Sequence, residues 1–300
     1  MRKHPVLWGI VLLVVLGAFF YAFFYKAGQG SGNLAMRPKT FAFGERIGVV
    51  PVEGVISDSF DIRQNLEDFG KDDSIVAVVV RIDSPGGGVA ASQEIYDAIL
   101  QLRKKKKVVA SMGSVAASGG LLIACAADKI VANPGTITGS ISAIMQFANI
   151  EELLGKIGVK SSVVKSGPYK DIGSPVREMT PEERQIIQEL VDDIYNQFID
   201  VIVEGRNLPR EQVMAIADGR VFSGRKAKEL GLVDQMGDLS AAARTASELA
   251  GRDGTYELIF PKKIRPGVFD YLFESAASAF IRALDNSVRM QGGANYRYDP

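Results

Sequence analysis

The run Ile75-Val76-Ala77-Val78-Val79-Val80-Arg81-Ile82, followed at once by Asp83-Ser84-Pro85-Gly86-Gly87-Gly88, decides the fold class. Its apolar residues are continuous and largely β-branched, the pattern of a strand covered on both faces in a parallel sheet. The proline and glycines stop that strand. Val89 to about Lys104 then sets Ile95, Ala98, Ile99 and Leu102 at helical spacing. Strand, glycine turn and helix make one β-α unit, and the chain on either side repeats the alternation. Upstream, Ile47–Val52 reads as a strand, and Asp58–Phe69 as a helix carrying Ile62, Leu66 and Phe69 inward. Downstream come the strand Val108–Met112, a turn of small residues, and an apolar helix from Leu121 to Ala127.

Further strands are predicted at Lys129–Ala132, near Ala143–Phe147, at Lys160–Lys165 and at Tyr256–Phe260. Helices are predicted at Ile150–Ile157, Glu211–Ala217, Arg225–Leu230, Leu239–Ala250 and Val268 to about Leu284. The clearest helix start is the capping box Thr180-Pro181-Glu182-Glu183, with proline at the first helical position and a broad apolar stripe running to about Glu204. The basic run Arg103–Lys107 reads as a solvated helix C-terminus, where cations complement the dipole.

Composition removes whole classes of function. The 35 Lys and Arg balance the 35 Asp and Glu, so no global field points to nucleic acid. The one cysteine, Cys125, sits in an apolar run and reads as a buried structural thiol. The one histidine is His4, ahead of an apolar N-terminal segment. Nothing downstream of that segment can supply a Ser-His-Asp triad, a Cys-His pair or a histidine-based metal site. A hydrolase built from this chain must take its base from lysine, a carboxylate or a terminal amine.

That N-terminal segment, residues 5–25, is uncharged and about 21 residues long, enough to cross a bilayer. Trp8 near one end and Tyr21 and Tyr25 near the other suit interfacial anchoring. A secretory signal has a shorter apolar core, about 7–15 residues, so a retained anchor is predicted. Arg2 and Lys3 before it and Lys26, Arg37 and Lys39 after it do not decide its orientation. The organisation predicted is an N-terminus at 1–4, an anchor at 5–25, a Gly/Ser-rich linker at 26–44, one globular domain at 45–287 and a tail at 288–300.

Three loops, each following a strand, stand out as carriers of chemistry, because α/β sheets form ligand sites at one edge. In Asp83–Gly88 the contiguous glycines let backbone N–H groups approach a ligand, as an oxyanion hole requires. They match neither a phosphate-binding Gly-x-x-x-x-Gly-Lys-Ser/Thr loop nor a dinucleotide fingerprint. In Ser114-Val115-Ala116-Ala117-Ser118-Gly119-Gly120 a serine opens a helix. Ser111 and Ser114 compete with it, as does simple small-residue packing, but Ser118 is followed directly by glycines whose N–H groups suit a tetrahedral intermediate. The third loop, Ser166–Pro175, carries Lys170. A lysine serves as a general base only when neutral, which requires desolvation. Pro168 and Tyr169 can shield it, whereas Asp171 opposes the effect and must point elsewhere.

Together these three blocks, with Gly-Arg-Val-Phe-Ser-Gly at 219–224 and Ala-Lys-Glu-Leu-Gly-Leu-Val-Asp at 227–234, resemble the signal peptide peptidase A family of peptidase family S49. The resemblance runs in order from about Ile47 to Gly237. It implies a crotonase/ClpP-like α/β fold with one N-terminal transmembrane helix. It implies Ser118 as nucleophile, Lys170 as general base and Ser140 as the hydroxyl that orients the lysine. Gly86 or Gly87, with Gly119, would supply the oxyanion N–H groups; no metal or other cofactor is implied. The family's usual aromatic after Ser-Gly-Gly is Leu121 here, which bears on the local pocket.

The resemblance further implies a single-pass protein of the bacterial inner membrane with its N-terminus in the cytoplasm and its catalytic domain outside. Its partners would be signal peptides and other peptides, the membrane and copies of itself in a homo-octamer, and its work the degradation of cleaved signal peptides. Two other classes remain: a non-proteolytic membrane scaffold of the same fold, and a crotonase-like acyl-CoA enzyme, which a membrane anchor fits poorly.

Overall fold

The computed structural model describes residues 45–253 and 255–261. The anchor at 5–25, the linker and the helix expected at Val268–Leu284 lie outside the described residues. Among the described residues, no helix is long and apolar enough to cross a membrane.

The strands are β1 (Glu45–Glu53), β2 (Ile75–Ser84), β3 (Lys107–Ala117), β4 (Lys129–Ala132), β5 (Ile137–Gly139), β6 (Val221–Ser223), β7 (Gln235–Met236) and β8 (Tyr256–Ile259). They form one sheet in the order β6-β5-β3-β2-β1-β8, with β4 beside β3 and β7 beside β4. Every pairing is parallel except β5 with β6. The helices are α1 (Phe60–Lys71), α2 (Val89–Arg103), α3 (Gly119–Ala124), α4 (Glu151–Lys156), α5 (Pro181–Arg206), α6 (Arg210–Met214), α7 (Gly224–Glu229) and α8 (Leu239–Leu249).

The sheet is covered on both faces, as the continuous apolar run of β2 requires. Alternate residues divide between two clusters: Val78, Val80 and Ile82 join α1, α2, α3 and α5 on one side, while Ala77 and Val79 join α8 on the other. The second cover is built from Ala241, Ala242, Ala243 and Ala246, whose small side chains let α8 lie close to Ile47, Val49 and Val109. Burying each large aliphatic side chain in such a core contributes about 1.5–3 kcal/mol before the entropy of ordering is set against it.

The strand β3 extends further than its apolar pattern predicts. It pairs with β4 over Val109–Met112, then with β5 over Val115–Ala117, so the expected turn at 113–117 is still strand. Against β2 the register jumps from Ile82↔Met112 to Ser84↔Ala116. The extra residues of β3 are absorbed at Asp83, whose carboxylate accepts the Val115 N–H at 3.0 Å. Thr136 and Thr138 fix β5 in place by donating their hydroxyls to the Gly113 and Ala116 carbonyls at 2.7 and 2.6 Å.

The basic run after α2 is less solvated than expected. Arg103 donates to the Ala126 carbonyl at 2.9 Å and pairs with Asp128 at 3.3 Å, and Lys106 donates to the Phe69 carbonyl at 2.7 Å. These cations tie the end of α2 to its neighbours, and burial pushes the Lys106 amine below its ordinary value.

Two predicted strands do not form. Residues 143–147 and 160–165 pair with nothing, and Ile144 is 77 % and Val164 100 % exposed. Strand propensity needs a neighbouring strand to express itself, and this chain presents none there. From Ser142 to Glu182 no residue is buried, so this stretch with α4 forms an arm outside the two-faced core.

The arm rejoins the core at α5, through the capping box read from the sequence. The Thr180 hydroxyl accepts the Glu183 N–H at 3.2 Å, and the Glu183 carboxylate accepts the Thr180 N–H at 3.0 Å. Thr180→Ala should lower stability by about 1 kcal/mol, the ordinary worth of an N-cap; an unchanged denaturation midpoint would show the helix start held by other contacts. Arg177 beside Glu183 holds that carboxyl down to about 2, from an ordinary 4.5. A depressed carboxyl stabilises the fold fully above its unfolded value and loses that contribution as pH falls through the folded one. The cap is therefore expected to survive mild acid and fail only near pH 2, which amide exchange across the first turn of α5 would register.

Candidate active site

Ser118 stands at the junction of β3 and α3, where an extended chain turns sharply into a wholly buried helix. Its backbone has φ 51° and ψ −120°, a region that side-chain-bearing residues rarely occupy. Two bonds hold it there: the Ser118 N–H donates to the Gly139 carbonyl at 2.9 Å, and its own carbonyl accepts the Leu122 N–H at 3.0 Å. The first arises because β5 pairs with the far end of β3, so the strand switch along β3 places the serine. The side chain is half-buried and hydrogen-bonds to no other described residue.

The glycine loop after β2 abuts this turn. A Cβ built on Gly86 would lie 2.8 Å from both the Gly119 nitrogen and the Ser118 Cβ, and Gly86 has φ +98°. Only glycine fits that contact. The Gly86 N–H donates to the Ser84 hydroxyl at 3.0 Å, and the Gly88 N–H donates to the Ile56 carbonyl at 2.8 Å. Between them, the Gly87 N–H has no acceptor among the described residues, and Gly87 is exposed. The Gly119 N–H, in the first turn of α3, is likewise without an acceptor among the described residues, as helix N-termini leave their first donors. Two backbone donors thus flank the Ser118 loop, at Gly87 and at Gly119.

Ser140 follows Gly139 directly and also has a positive φ, 53°, with its N–H donating to the Arg220 carbonyl at 2.8 Å. The fold therefore brings Gly86, Ser118 and Gly119 together and joins Ser140 to them through Gly139. Ser111 is buried and its hydroxyl accepts from Arg81 at 2.9 Å, a structural role. Ser114 is exposed on β3. Leu121, at the position of the family's usual aromatic, is fully buried in the core, so it lines no open pocket.

Lys170 lies on the arm, in a turn closed by its own N–H on the Gly167 carbonyl at 3.2 Å. It is exposed, and its amine makes no hydrogen bond to Ser118, Ser140 or any other described residue. Its neighbour Asp171 is turned toward Arg177, with contacts at 2.8 and 2.9 Å, and toward Lys165 at 2.5 Å. Those two cations hold the Asp171 carboxyl well below the usual carboxylate range.

The sequence pattern described as Peptidase family S49 matches residues 100–253, a little over half the chain. The chain belongs to peptidase family S49. The S49 match takes in Ser118, Ser140 and Lys170, and a Clp protease pattern matches residues 57–137, across the glycine loop and the serine turn. The expected ClpP-like α/β fold accords with both. Among S49 relatives, a candidate protease of Synechocystis sp. is 55 % identical over 177 residues, 59 % of this chain and 64 % of that protein. A candidate signal peptide peptidase SppA of Enterococcus faecium is 36 % identical over 210 residues, 65 % of this chain and 61 % of that protein. Protease 4 of Salmonella typhi is 38 % identical over 217 residues, covering 69 % and 35 %. The chain thus spans less than two thirds of the length of each of these relatives. A ClpP1 variant of Listeria monocytogenes superposes with a TM-score of 0.47 at 19 % identity, over 65 % of this S49 chain and 93 % of that one.

Three further residues that shape the candidate site were not singled out in the sequence. Ser84 occupies the Gly86 N–H, Gly139 fixes the Ser118 backbone, and Ser92 packs its hydroxyl where a Gly119 side chain would otherwise sit. The Ser84-Pro85-Gly86 step is a serine turn that local chemistry could have flagged. The other two depend on pairings between distant segments.

Proposed function

We propose that the chain is a membrane-bound serine endopeptidase of the Ser-Lys type that degrades cleaved signal peptides. The observation that carries this reading is the strained Ser118 turn, flanked by free backbone donors at Gly87 and Gly119. In the reaction, Ser118 Oγ attacks the peptide carbonyl carbon as its proton passes to the Lys170 amine. The Gly87 and Gly119 N–H groups receive the oxyanion, the role worth about 10²–10³ in rate per donor. The C–N bond then breaks, Lys170 returns the proton to the leaving amine, and water hydrolyses the acyl-serine by the same route. Ser140, one residue from the carbonyl that holds Ser118, orients the lysine.

The arm supports an assembly of copies, for which a homo-octamer is the proposed form. It leaves Ile144, Phe147, Leu153, Ile157 and Val164 exposed, large apolar side chains whose burial against a second copy would be favourable. A hollow of about 1120 Å³ lies between residues 143–149 and the side chains of Ile187 and Val191 on α5. Residues 5–25 would anchor the assembly in the bacterial inner membrane, with the N-terminus cytoplasmic.

The exposure of Lys170 gives some weight to a second reading, a non-proteolytic scaffold of the same fold. A fluorophosphonate separates the two. The full chain in mild detergent should form an adduct on Ser118, at a rate that rises with pH, since only a neutral amine can accept the serine proton. Absence of any adduct would favour the scaffold, and a rate independent of pH would remove lysine as the base.

A further inference from the structure

We propose that Arg177 is the positioning residue for Lys170, locking the lysine loop onto the start of α5 and cancelling the Asp171 charge beside it. The inference rests on the Ser118–Lys170 reading above. Arg177 spends every face of its guanidinium on one short circuit. Nε and Nη2 donate to the two Asp171 carboxylate oxygens at 2.9 and 2.8 Å, and Nη2 reaches the Asp171 carbonyl at 3.2 Å. On its other side, Nη1 and Nη2 donate to the Glu183 carboxylate at 2.8 and 2.5 Å, and Nη1 to the Glu178 carbonyl at 2.9 Å.

Glu183 is the anchor of this circuit. Among the described residues it is the one charged residue that is buried, 2 % exposed, and it closes the capping box of α5. Through Arg177, the loop that presents Lys170 is therefore tied to a rigid helix start, although the arm itself has no core. Bidentate pairing on both sides fixes orientation as well as distance, which a lysine at 177 would not reproduce.

The circuit also settles where the Asp171 charge goes. A carboxylate adjacent to a general-base lysine favours its charged, inactive form. The charged groups that meet Asp171 are Arg177 from beyond the loop and Lys165 from before it, and Glu183 meets Arg177 from α5. With Arg177 in place, the carboxylate is turned into these partners. Nothing in the arm's packing requires so complete a use of one arginine, since the segment buries no residue of its own. A device that orients one exposed turn accounts for it.

The test follows the rate of fluorophosphonate labelling of the full-length assembly against pH. In Arg177→Gln the rate at neutral pH should fall about tenfold and the rising limb move up, by of order half a pH unit for a charge exposed to solvent. In Asp171→Asn the limb should move down, and the double variant should return it near the wild-type position with a lower ceiling. Opposite shifts that cancel are a charge effect, which loss of packing alone does not produce. Both limbs moving together, or neither moving, would overturn the proposal. Should Arg177→Gln fail to fold, Asp171→Asn alone decides, since an unmoved or raised limb contradicts it. Lys170→Ala distinguishes the two readings. If that variant labels normally, the Ser-Lys assignment falls and this inference with it. If it is inert while the Arg177→Gln profile is unmoved, only the role of Arg177 falls.

Discussion

Ser118→Ala should abolish peptide cleavage, with kcat/KM falling on the order of 10⁴-fold or more, and leave the domain folded. The hydroxyl is half-buried and bonded to no other described residue, so its removal costs no structural hydrogen bond. The backbone strain is expected to stay as it is, since alanine and serine carry the same Cβ at φ 51°. Lys170→Ala should do the same to activity with still less effect on stability, because the side chain is exposed. Nucleophile and base act as a unit, so the double variant should be no slower than either single one. Cleavage of a dye-quenched casein by the full assembly measures all three. Two independent, multiplying losses would mean that Lys170 acts elsewhere than on Ser118, and normal turnover by either single variant would end the assignment.

The parts of this fold that are legible in the sequence are those whose surroundings are uniform. β2 is apolar from Ile75 to Val80 because α2 and α8 cover its two faces, so these residues alone announce a parallel sheet. The capping box of α5 is legible because all its partners lie within four residues. Ser118 is legible because Gly119 and Gly120 mark where the backbone must turn. The pattern fails where a side chain's partner lies far along the chain. β3 continues past Gly113 because β5 arrives from residues 137–139 to pair with it. The stretches at 143–147 and 160–165 carry β-branched or aromatic residues, yet this chain offers them no neighbouring strand and leaves them in solvent. Composition reports what a segment would do beside a partner, and the arm is where the chain itself does not provide one. The requirement that Asp171 point away from Lys170 was readable from adjacency; the identity of the residue that turns it, Arg177, was not.

Gly86→Ala should cost most of the activity, although it removes no functional group. The added methyl would lie 2.8 Å from the Gly119 nitrogen, 2.8 Å from the Ser118 Cβ and 3.0 Å from the Ala117 carbonyl oxygen. These are backbone or near-backbone atoms at the start of a buried helix, so none can swing aside. The residue also sits at φ +98°, where a side chain is strained whatever the space. Relief must come from moving the 84–88 loop or the serine turn, and both carry the geometry of the proposed reaction. A displacement of about 1 Å at a catalytic turn costs about 10²-fold, and losing one oxyanion donor costs about 10²–10³-fold. A fall in kcat/KM of about 10²–10³-fold is therefore expected, with about 1–3 kcal/mol of lost stability from overpacking and backbone strain. Gly135→Ala is the matched control. That glycine has no atom within 4 Å of a built Cβ and no positive φ. Alanine there should leave activity alone and raise stability by up to about 1 kcal/mol by restricting the unfolded chain. The pair predicts changes of opposite sign from one identical substitution. Equal activity in the two variants would mean that the contact between the glycine loop and Ser118 does not shape the reaction, and the oxyanion role would have to pass from Gly87 to another donor.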